Sequence, residues 1–493
     1  MTGRRRAARD RPATRKDVDL FDTPRPEQRP KPPKPASRVG KVSPWAYFKL
    51  FKRDILSAQP ARLYRAWMAE FRTPFFRSYM CNDPALVDLV LKERPMDFPK
   101  SERVRTGLKP LLGESIFISN GDLWRHQRRI IDPAFEGGRL RSIFPAMWDS
   151  GVAAVERLRP LADGRPVEVE SHASHVAMDV IFRTLFSVPI ENEIASAAFA
   201  TFREHQQEQP VANLLALLPL PKWFPRLHSR RTKRTAATIR GLIGQLIHAR
   251  AGQIAAKTAP DDLATKIMTT PDPETGKCFD VEEMIDQVAI FFLAGHETSA
   301  AALAWALYLL ATHPEWQDRV AAEALVTYEP DKIYFSTLHK LRDARAVFRE
   351  AMRLYPPVPM FVREAACPEH FRGRDIARGS QVILSPWHLH RHERIWDRPD
   401  DFDPGRFDTP NGRNGLRTAY IPFSAGARVC PGSAFAMAEG PLLLSMLVRA
   451  FRFEPVEGQV PVPVAHLTVR ARDGIQLRLT PREQIIPEGT TEA

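Results

Sequence analysis

A ten-residue stretch, FSAGARVCPG, holds the residues of this sequence that are best suited to bind a metal ion. It runs from Phe423 to Gly432 and carries Cys430, with Gly426 and Arg428 upstream, and a helical-looking apolar run follows it. The N–H groups and dipole at a helix N-terminus favour a thiolate, and glycines permit a tight turn and a closely packed flat ligand. The stretch therefore predicts a cysteine presented to one soft metal ion held mainly by another group, such as haem iron. The alternative is an ordinary buried free cysteine.

The longest apolar run of the sequence predicts a helix buried in the centre of the protein. Asp280 and Glu283 form a candidate capping box at its start, and Pro314 marks its end. The run is long enough to span a membrane, but the polar stretch GHET in its middle would be costly in lipid. A helix that is apolar on all sides is also what the core of a large protein requires.

The polar stretch inside this helix, AGHETSA, combines small residues with an acid and an alcohol. Helical spacing places Phe291, Ala294, Gly295 and Thr298 on one face, and Glu297 precedes the threonine. The small residues at 294 and 295 leave space beside the helix, and a buried acid next to an alcohol can conduct protons from solvent. Thr298 could instead only bond to a carbonyl one turn earlier. A zinc-protease HExxH pattern is excluded, because alanine stands where its second histidine is needed.

Two further pairs and one arginine complete the set of candidate residues. Trp124 and Arg128 share one face of a helix predicted over residues 121–135. Glu350 and Arg353 form an ExxR pair on a helix that ends at two prolines, and Arg406 lies downstream in the segment PGRF. Taken alone, Trp124 and Arg128 would be a half-buried tryptophan beside a solvated arginine. Glu350 and Arg353 alone would be a common exposed ion pair.

The order of these motifs between about residues 45 and 480 resembles that of the cytochrome P450 family. The cysteine loop is similar to its haem-thiolate loop, AGHETSA to its oxygen-binding motif, and the ExxR and PGRF segments to its structural ion-pair network. The resemblance implies a mainly α fold with small β-sheets (α+β) and one long central helix over the haem. It also implies that Cys430 is the proximal ligand of the iron of haem b. By the same resemblance, Ala294 and Gly295 are expected to leave room for a diatomic ligand, and Glu297 and Thr298 to act as catalytic residues in its protonation.

The resemblance extends to the residues around the cofactor. Trp124, Arg128, Arg363 and Arg428 are expected to hold the haem propionates, because a guanidinium grips a carboxylate through two bonds. His390 is expected to lie near a haem propionate as well. Together, the expected cofactor-binding residues are Trp124, Arg128, Ala294, Gly295, Arg363, Phe423, Gly426, Arg428, Cys430 and Gly432.

The reaction implied by the resemblance is oxidation of an apolar organic molecule, such as a fatty acid or terpenoid, with O₂ and two electrons. The sequence shows no fused reductase module, so we expect a separate ferredoxin or flavodoxin-type donor with its reductase. The alternatives are a peroxide-using relative and a haem-based gas sensor or haem-binding protein without turnover. The candidate substrate pocket comprises an apolar loop at 101–113, a lid at 211–234, Phe291, and the segments 358–361 and 464–467. Val358, Phe361 and Ala465 are its named residues in those segments.

Composition bounds the setting of the protein. The four cysteines form no CxxC pair, which fits a reducing compartment. Residues 1–41 carry a net charge of +8 out of +13, so the basicity does not indicate a nucleic-acid-binding domain. We predict a disordered Pro-rich tail over 1–42, one haem-thiolate domain over 43–485 and a flexible C-terminus over 486–493. No apolar leader or transmembrane anchor is predicted, which favours a cytoplasmic protein with peripheral membrane contact as an option.

Overall fold

Helices dominate the computed structural model, which describes residues 30–38, 40, 42–72, 77–208, 229–328 and 334–482. The helices are α1 Pro44–Arg53, α2 Pro84–Asp88, α3 Glu102–Leu112, α4 Gly121–Ile131, α5 Gly137–Leu158, α6 Val169–Phe186, α7 Glu193–Glu208, α8 Arg230–Ala255, α9 Leu263–Thr269, α10 Val281–Ala311, α11 Pro314–Thr327, α12 Arg342–Leu354, α13 Pro386–Leu389, α14 Pro410–Thr418 and α15 Ser433–Ala450. The strands are β1 Met68–Arg72, β2 Arg77–Cys81, β3 Pro166–Glu168, β4 Phe361–Glu364, β5 Glu369–Phe371, β6 Arg374–Ile376, β7 Gln381–Leu384, β8 Phe451–Pro455, β9 Pro463–Ala465, β10 Val469–Ala471 and β11 Gln476–Pro481.

The strands form small sheets that pack beside the helices. The largest sheet has the order β1-β2-β7-β4, in which β2 and β7 are parallel and the other pairs are antiparallel. A second sheet has the order β3-β11-β8, and β5–β6 and β9–β10 are antiparallel pairs. The mainly α architecture with small sheets confirms the predicted fold class.

The central helix α10 organises the core. The predicted capping box is present, because Asp280 accepts from the Glu283 N–H and Glu283 accepts from the Asp280 N–H. The helix packs against α6, α8, α12 and α15, and most of its residues are buried. Although α10 and α15 are both long and apolar enough to cross a membrane, most residues of each lie inside the protein. The prediction of a buried core helix is therefore confirmed for α10.

Two segments differ from their predicted form. Residues 101–113 form helix α3 rather than a loop, because Leu111 and Leu112 are buried against the core. Residues 30–38 of the predicted tail lie on the body: the Tyr355 hydroxyl donates to the Pro33 carbonyl at 2.9 Å, and Lys34 pairs with Asp400 at 2.6 Å. The rest of the predicted tail up to residue 29, the lid over 211–228 and the C-terminal segment 486–493 lie outside the described residues.

Candidate active site

The cysteine loop is closed by its own backbone. The Cys430 N–H donates to the Phe423 carbonyl at 2.9 Å, and the Val429 N–H donates to the Gly426 carbonyl at 3.0 Å. Gly426 has a φ of 65°, and a Cβ there would lie 2.0 Å from the Leu91 carbonyl oxygen. Glycine is therefore required at 426 by both conformation and space. Helix α15 begins directly after the loop, so the thiol sits at its N-terminus.

Cys430 is exposed and is one of the residues that line a cavity of about 1550 Å³. Desolvation by the surrounding protein atoms raises the pKa of this thiol, and the Gly432 N–H and the Arg128 charge only partly oppose that effect. This differs from the thiolate that the helix N-terminus alone predicts. A coordinated metal ion deprotonates a thiol outright, so the raised pKa is compatible with ligation.

Two of the predicted arginines fix the loop to its surroundings. Arg128 donates from Nη1 to the Val429 carbonyl at 2.7 Å and from Nε to Asp132 at 2.8 Å. Arg428 donates to the Pro95 and Phe98 carbonyls at 2.7 and 2.8 Å, and its guanidinium lies 5.2 Å from the Trp124 ring centroid. Trp124 and both arginines line the same cavity as Cys430.

The third predicted arginine, Arg363, lies near these two arginines. Lys100, which was not predicted from the sequence, completes the cationic cluster. Arg363 on β4 and Lys100 both line the cavity, and Lys100 donates to the Ile116 carbonyl. Burial lowers the pKa of Lys100 well below its usual value, and the charges of Arg363, Arg428 and Arg128 lower it further. Burial and the Arg428 charge lower the pKa of Arg363 to about 10. No local signal marks Lys100, because its cationic neighbours come from three distant segments.

These residues fit the two carboxylates of a haem. The Nε atoms of Arg363 and Arg428 are buried and have no hydrogen-bond partner within the described parts of the chain. Burying like charges together is costly unless anions are supplied, and unpaired buried donors carry a similar penalty. Carboxylates placed here would relieve both costs, while Cys430 supplies the soft ligand that haem iron accepts.

Helix α10 supplies the opposite wall of the cavity. Phe291, Ala294, Gly295 and Thr298 all line it, as their shared face predicts. The Thr298 hydroxyl donates to the Ala294 carbonyl. This is the bond to a carbonyl one turn earlier that the sequence allowed as an alternative for Thr298. A Cβ on Gly295 would lie 2.8 Å from Cδ1 of Ile181, so this glycine allows the close approach of α6.

Glu297 does not contact Thr298 through its carboxylate. Its Oε1 accepts from the Thr468 hydroxyl at 2.6 Å and pairs with Arg470 Nε at 3.4 Å. Arg470 lies on β10 with about a third of its side chain exposed, whereas Glu297 is buried. Glu297 therefore links the central helix, on which it lies, to the partly exposed Arg470 on β10. The sequence gives no sign of these partners, because 171 residues separate Glu297 from Thr468.

A second acid lies beneath the same helix. Ser299, which lines the cavity, donates to Oε2 of Glu439 on α15 at 2.7 Å. Glu439 is fully buried, and this burial raises its pKa to about 8. The carboxyl group is therefore neutral near pH 7 and ties α10 to α15 as an uncharged hydrogen-bonding group.

The ExxR pair and the downstream arginine meet in one buried network. Arg353 pairs with Glu350 through two bonds of 2.8 and 2.9 Å, and Arg406 Nε donates to the same carboxylate at 2.9 Å. Arg353 also donates to the carbonyls of residues 390, 399 and 401. The three charges thus fix the chain that leads into the cysteine loop.

The cavity takes in some predicted pocket residues and not others. Phe291, Val358 and Phe361 line it. Ala465 is instead packed on β9, where its N–H donates to Asp54, and the neighbouring His466 and Leu467 reach the cavity. His390 lies outside the cavity lining, because its Nε2 accepts from the Ile421 N–H at 2.9 Å and its ring stacks on Tyr420. Neither Ala465 nor His390 is among the residues that line the cavity.

Comparison with known proteins agrees with this geometry. The family model for cytochrome P450 matches residues 64–479. The crystal structure of the cytochrome P450DA heme domain superimposes with a TM-score of 0.74, covering 92% of this chain and 98% of that one at 24% identity. At this level of identity the structural match shows the fold alone.

Curated relatives share the sequence over most of their length. Cyclooctat-9-en-7-ol 5-monooxygenase of Streptomyces melanosporofaciens is 32% identical over 393 residues, covering 79% of this chain and 83% of the relative. Human cytochrome P450 4A11 is 28% identical, covering 77% of this chain and 76% of the relative, and cytokinin hydroxylase of Arabidopsis thaliana is 27% identical, covering 85% and 83%. On the family match and the first of these relatives, the chain belongs to the cytochrome P450 family of haem-containing monooxygenases.

Proposed function

We propose that this protein binds haem b through Cys430 and inserts one oxygen atom of O₂ into an apolar organic substrate, using two electrons from a separate donor. One observation carries this proposal. A single cavity joins the Cys430 thiol, the cluster of Lys100 with three arginines, and the small residues and Thr298 of α10. In this cavity Cys430 would ligate the haem iron, the cationic residues would hold its carboxylates, and Thr298 would supply an alcohol near the bound cofactor.

The protein residues divide the work around the cofactor. Bound haem supplies oxygen activation, which thiolate ligation favours. Arg363, Arg428 and Lys100 would hold the cofactor carboxylates, and Arg128 keeps the cysteine loop in place. Because the Thr298 hydroxyl donates its hydrogen to Ala294, its oxygen is left as an acceptor that orders water in the cavity. Glu297, on the central helix, exchanges protons between the partly exposed side at Arg470 and the cavity.

The substrate class that the walls favour is an apolar molecule such as a terpenoid or fatty acid. Phe291, Val358, Met360, Phe361 and Leu467 give the cavity apolar surface on several sides. Apolar lining with a few polar groups is typical of sites for such ligands. The 32% identical relative is named for a reaction on cyclooctat-9-en-7-ol, which supports a terpenoid-type substrate here.

The electron donor that fits the surface is an acidic ferredoxin or flavodoxin. Arg413 and Arg417 on α14 are exposed and precede the cysteine loop, and Arg125 lies one turn from Arg128. Arg129 is less available, because two bonds engage it with Asp272. Exposed charges of one sign steer a partner of the opposite sign. We place the protein in the cytoplasm, where such donors are found. Trp45 is exposed and is a candidate contact for a membrane surface.

Reconstitution tests the proposal. The purified protein is mixed with NADPH, a reductase and either a ferredoxin or a flavodoxin, and terpenoids and fatty acids are screened by the change in haem spin state. We expect at least one compound to shift the spin state, to accelerate NADPH oxidation and to yield a product heavier by one oxygen atom. Gas binding without NADPH oxidation or product would instead favour a haem-based sensor.

A further inference from the structure

The cavity has a polar region that the reaction does not use. Gln59 and Tyr47 line the cavity from the N-terminal segment, which is attached to β9 through the bond from the Ala465 N–H to Asp54. Arg62, which is exposed, lines the cavity from the same segment. This segment is separate from the cysteine loop. The neighbouring wall is apolar, with Phe51 and Ile55.

Gln59 carries a buried acceptor without a partner. Only 3% of this residue is exposed, and its Oε1 has no hydrogen-bond partner within the described residues. Its Nε2 faces the Ile55 carbonyl and the Tyr47 hydroxyl, both at 3.4 Å. The carbonyl fixes the orientation of the amide, because exchanging the amide nitrogen and oxygen would bring two acceptors together.

Bonds from Arg38 hold the backbone at Gln59 in place. Arg38 forms a bridge with Pro60, in which the Arg38 N–H donates to the Gln59 carbonyl at 3.2 Å. The Arg38 side chain also donates to the Ala58 carbonyl at 2.8 Å. A fixed, buried acceptor without a donor costs free energy, and a ligand group that donates to it removes that cost.

We propose that Gln59, assisted by Tyr47, forms a subsite for a hydroxyl group on an otherwise apolar substrate. A hydroxyl donates its hydrogen to Oε1 and still accepts a bond from the Tyr47 hydroxyl or the Arg62 guanidinium. A carboxylate fits less well, because it has no hydrogen to donate and would face the amide oxygen. This inference rests on the proposed function and narrows its substrate class to alcohols.

The test compares alcohols with their methyl ethers on the haem-loaded protein. Straight-chain primary alcohols of 10, 12, 14 and 16 carbons are titrated beside the ethers of equal chain length, by spin-state change and by tryptophan fluorescence. The ether retains the accepting oxygen and lacks only the hydrogen. At the chain length that reaches Gln59, we expect the alcohol to bind about fivefold to tenfold more tightly, as one neutral hydrogen bond allows.

Variants assign this preference to the amide. Gln59→Met, which keeps an unbranched side chain, should bring the ratio of alcohol to ether affinity close to one. Gln59→Leu serves in its place if that variant loads haem poorly. Met360→Leu is the matched control: this residue lines the cavity elsewhere, so both ligands should change together.

Three results would overturn the inference. The first is equal affinity of alcohol and ether at every chain length, and the second is an alcohol preference that survives in both Gln59 variants. The third is tighter binding of dodecanoate than dodecan-1-ol, abolished by Arg62→Ala, which would make the region a carboxylate site. These readouts do not require turnover, so a failure of the proposed oxidation would show separately as alcohol binding without product.

Discussion

At the scale of single residues, the site depends on groups whose partners lie far away in the sequence. Cys430, Arg128 and Thr298 could be predicted because each belongs to a short motif. Lys100 and Thr468 could not, because their significance comes from burial beside Arg363 and Glu297 respectively. The position of His390 also depends on a contact that the local sequence does not show. Its sequence position suggested the cofactor, but the Ile421 N–H engages its ring nitrogen.

Thr298 provides the residue-scale prediction. Thr298→Ala removes an acceptor from the cavity while keeping a small residue that a helix tolerates. Product per NADPH should fall several-fold and released hydrogen peroxide should rise to match, because water is no longer ordered for proton delivery. Both quantities are measured in the same reaction.

Thr312→Ala is the control for this prediction. Its hydroxyl also donates to a carbonyl one turn earlier, at 3.1 Å, but at the end of α10 and outside the cavity lining. If both variants form as much product per NADPH as the wild type, Thr298 has only a structural role.

At the scale of elements, the sequence predicted helices well and contacts between elements poorly. The capping box and apolar run of α10 are local signals, and both are present in the structure. Whether 101–113 forms a loop or a helix, and which residues of the β9–β10 segment reach the cavity, depends on packing against distant parts of the chain. The same applies to residues 30–38, whose contacts with Tyr355 and Asp400 are more than 300 residues away in sequence.

The link between α10 and α15 gives a prediction about pH. The folded protein keeps Glu439 protonated up to about pH 8, whereas an unfolded glutamate releases its proton near pH 4.5. Between these values the folded state binds more protons, so this group lowers the free energy of unfolding as pH rises. Glu439→Gln cannot ionise. Its free energy of unfolding, relative to that of the wild type, should therefore increase by roughly 2 kcal/mol from pH 6 to pH 8.

Denaturant unfolding of the haem-loaded proteins at both pH values measures this difference. Glu457→Gln, at an exposed position, is the control and should follow the wild type. A difference between Glu439→Gln and wild type that does not change with pH would show that Glu439 is already ionised.

At the scale of the whole molecule, charge controls the delivery of electrons. Arg413 and Arg417 present exposed positive charge on α14, the helix that precedes the cysteine loop, so the rate of reduction by an acidic donor should fall steeply with added salt. The Debye length shortens to about 3 Å at 1 M salt, which screens such steering. Stopped-flow reduction at increasing ionic strength measures the effect.

Charge reversal makes this prediction specific. The double substitution Arg413→Glu and Arg417→Glu should slow reduction at low salt and weaken its salt dependence. Lys257→Glu, exposed at the end of α8, should slow reduction far less. Rates that ignore salt in the wild type would indicate an apolar docking surface instead.

The most direct test of the whole account is the carbon monoxide spectrum of the reduced protein. The wild type should show the strongly red-shifted band that a thiolate opposite carbon monoxide produces. Cys430→Ser should lose that band, whereas Cys81→Ser, Cys278→Ser and Cys367→Ser should keep it. A red-shifted band that survives in Cys430→Ser, or that disappears with one of the other cysteines, would contradict ligation of the haem iron by Cys430.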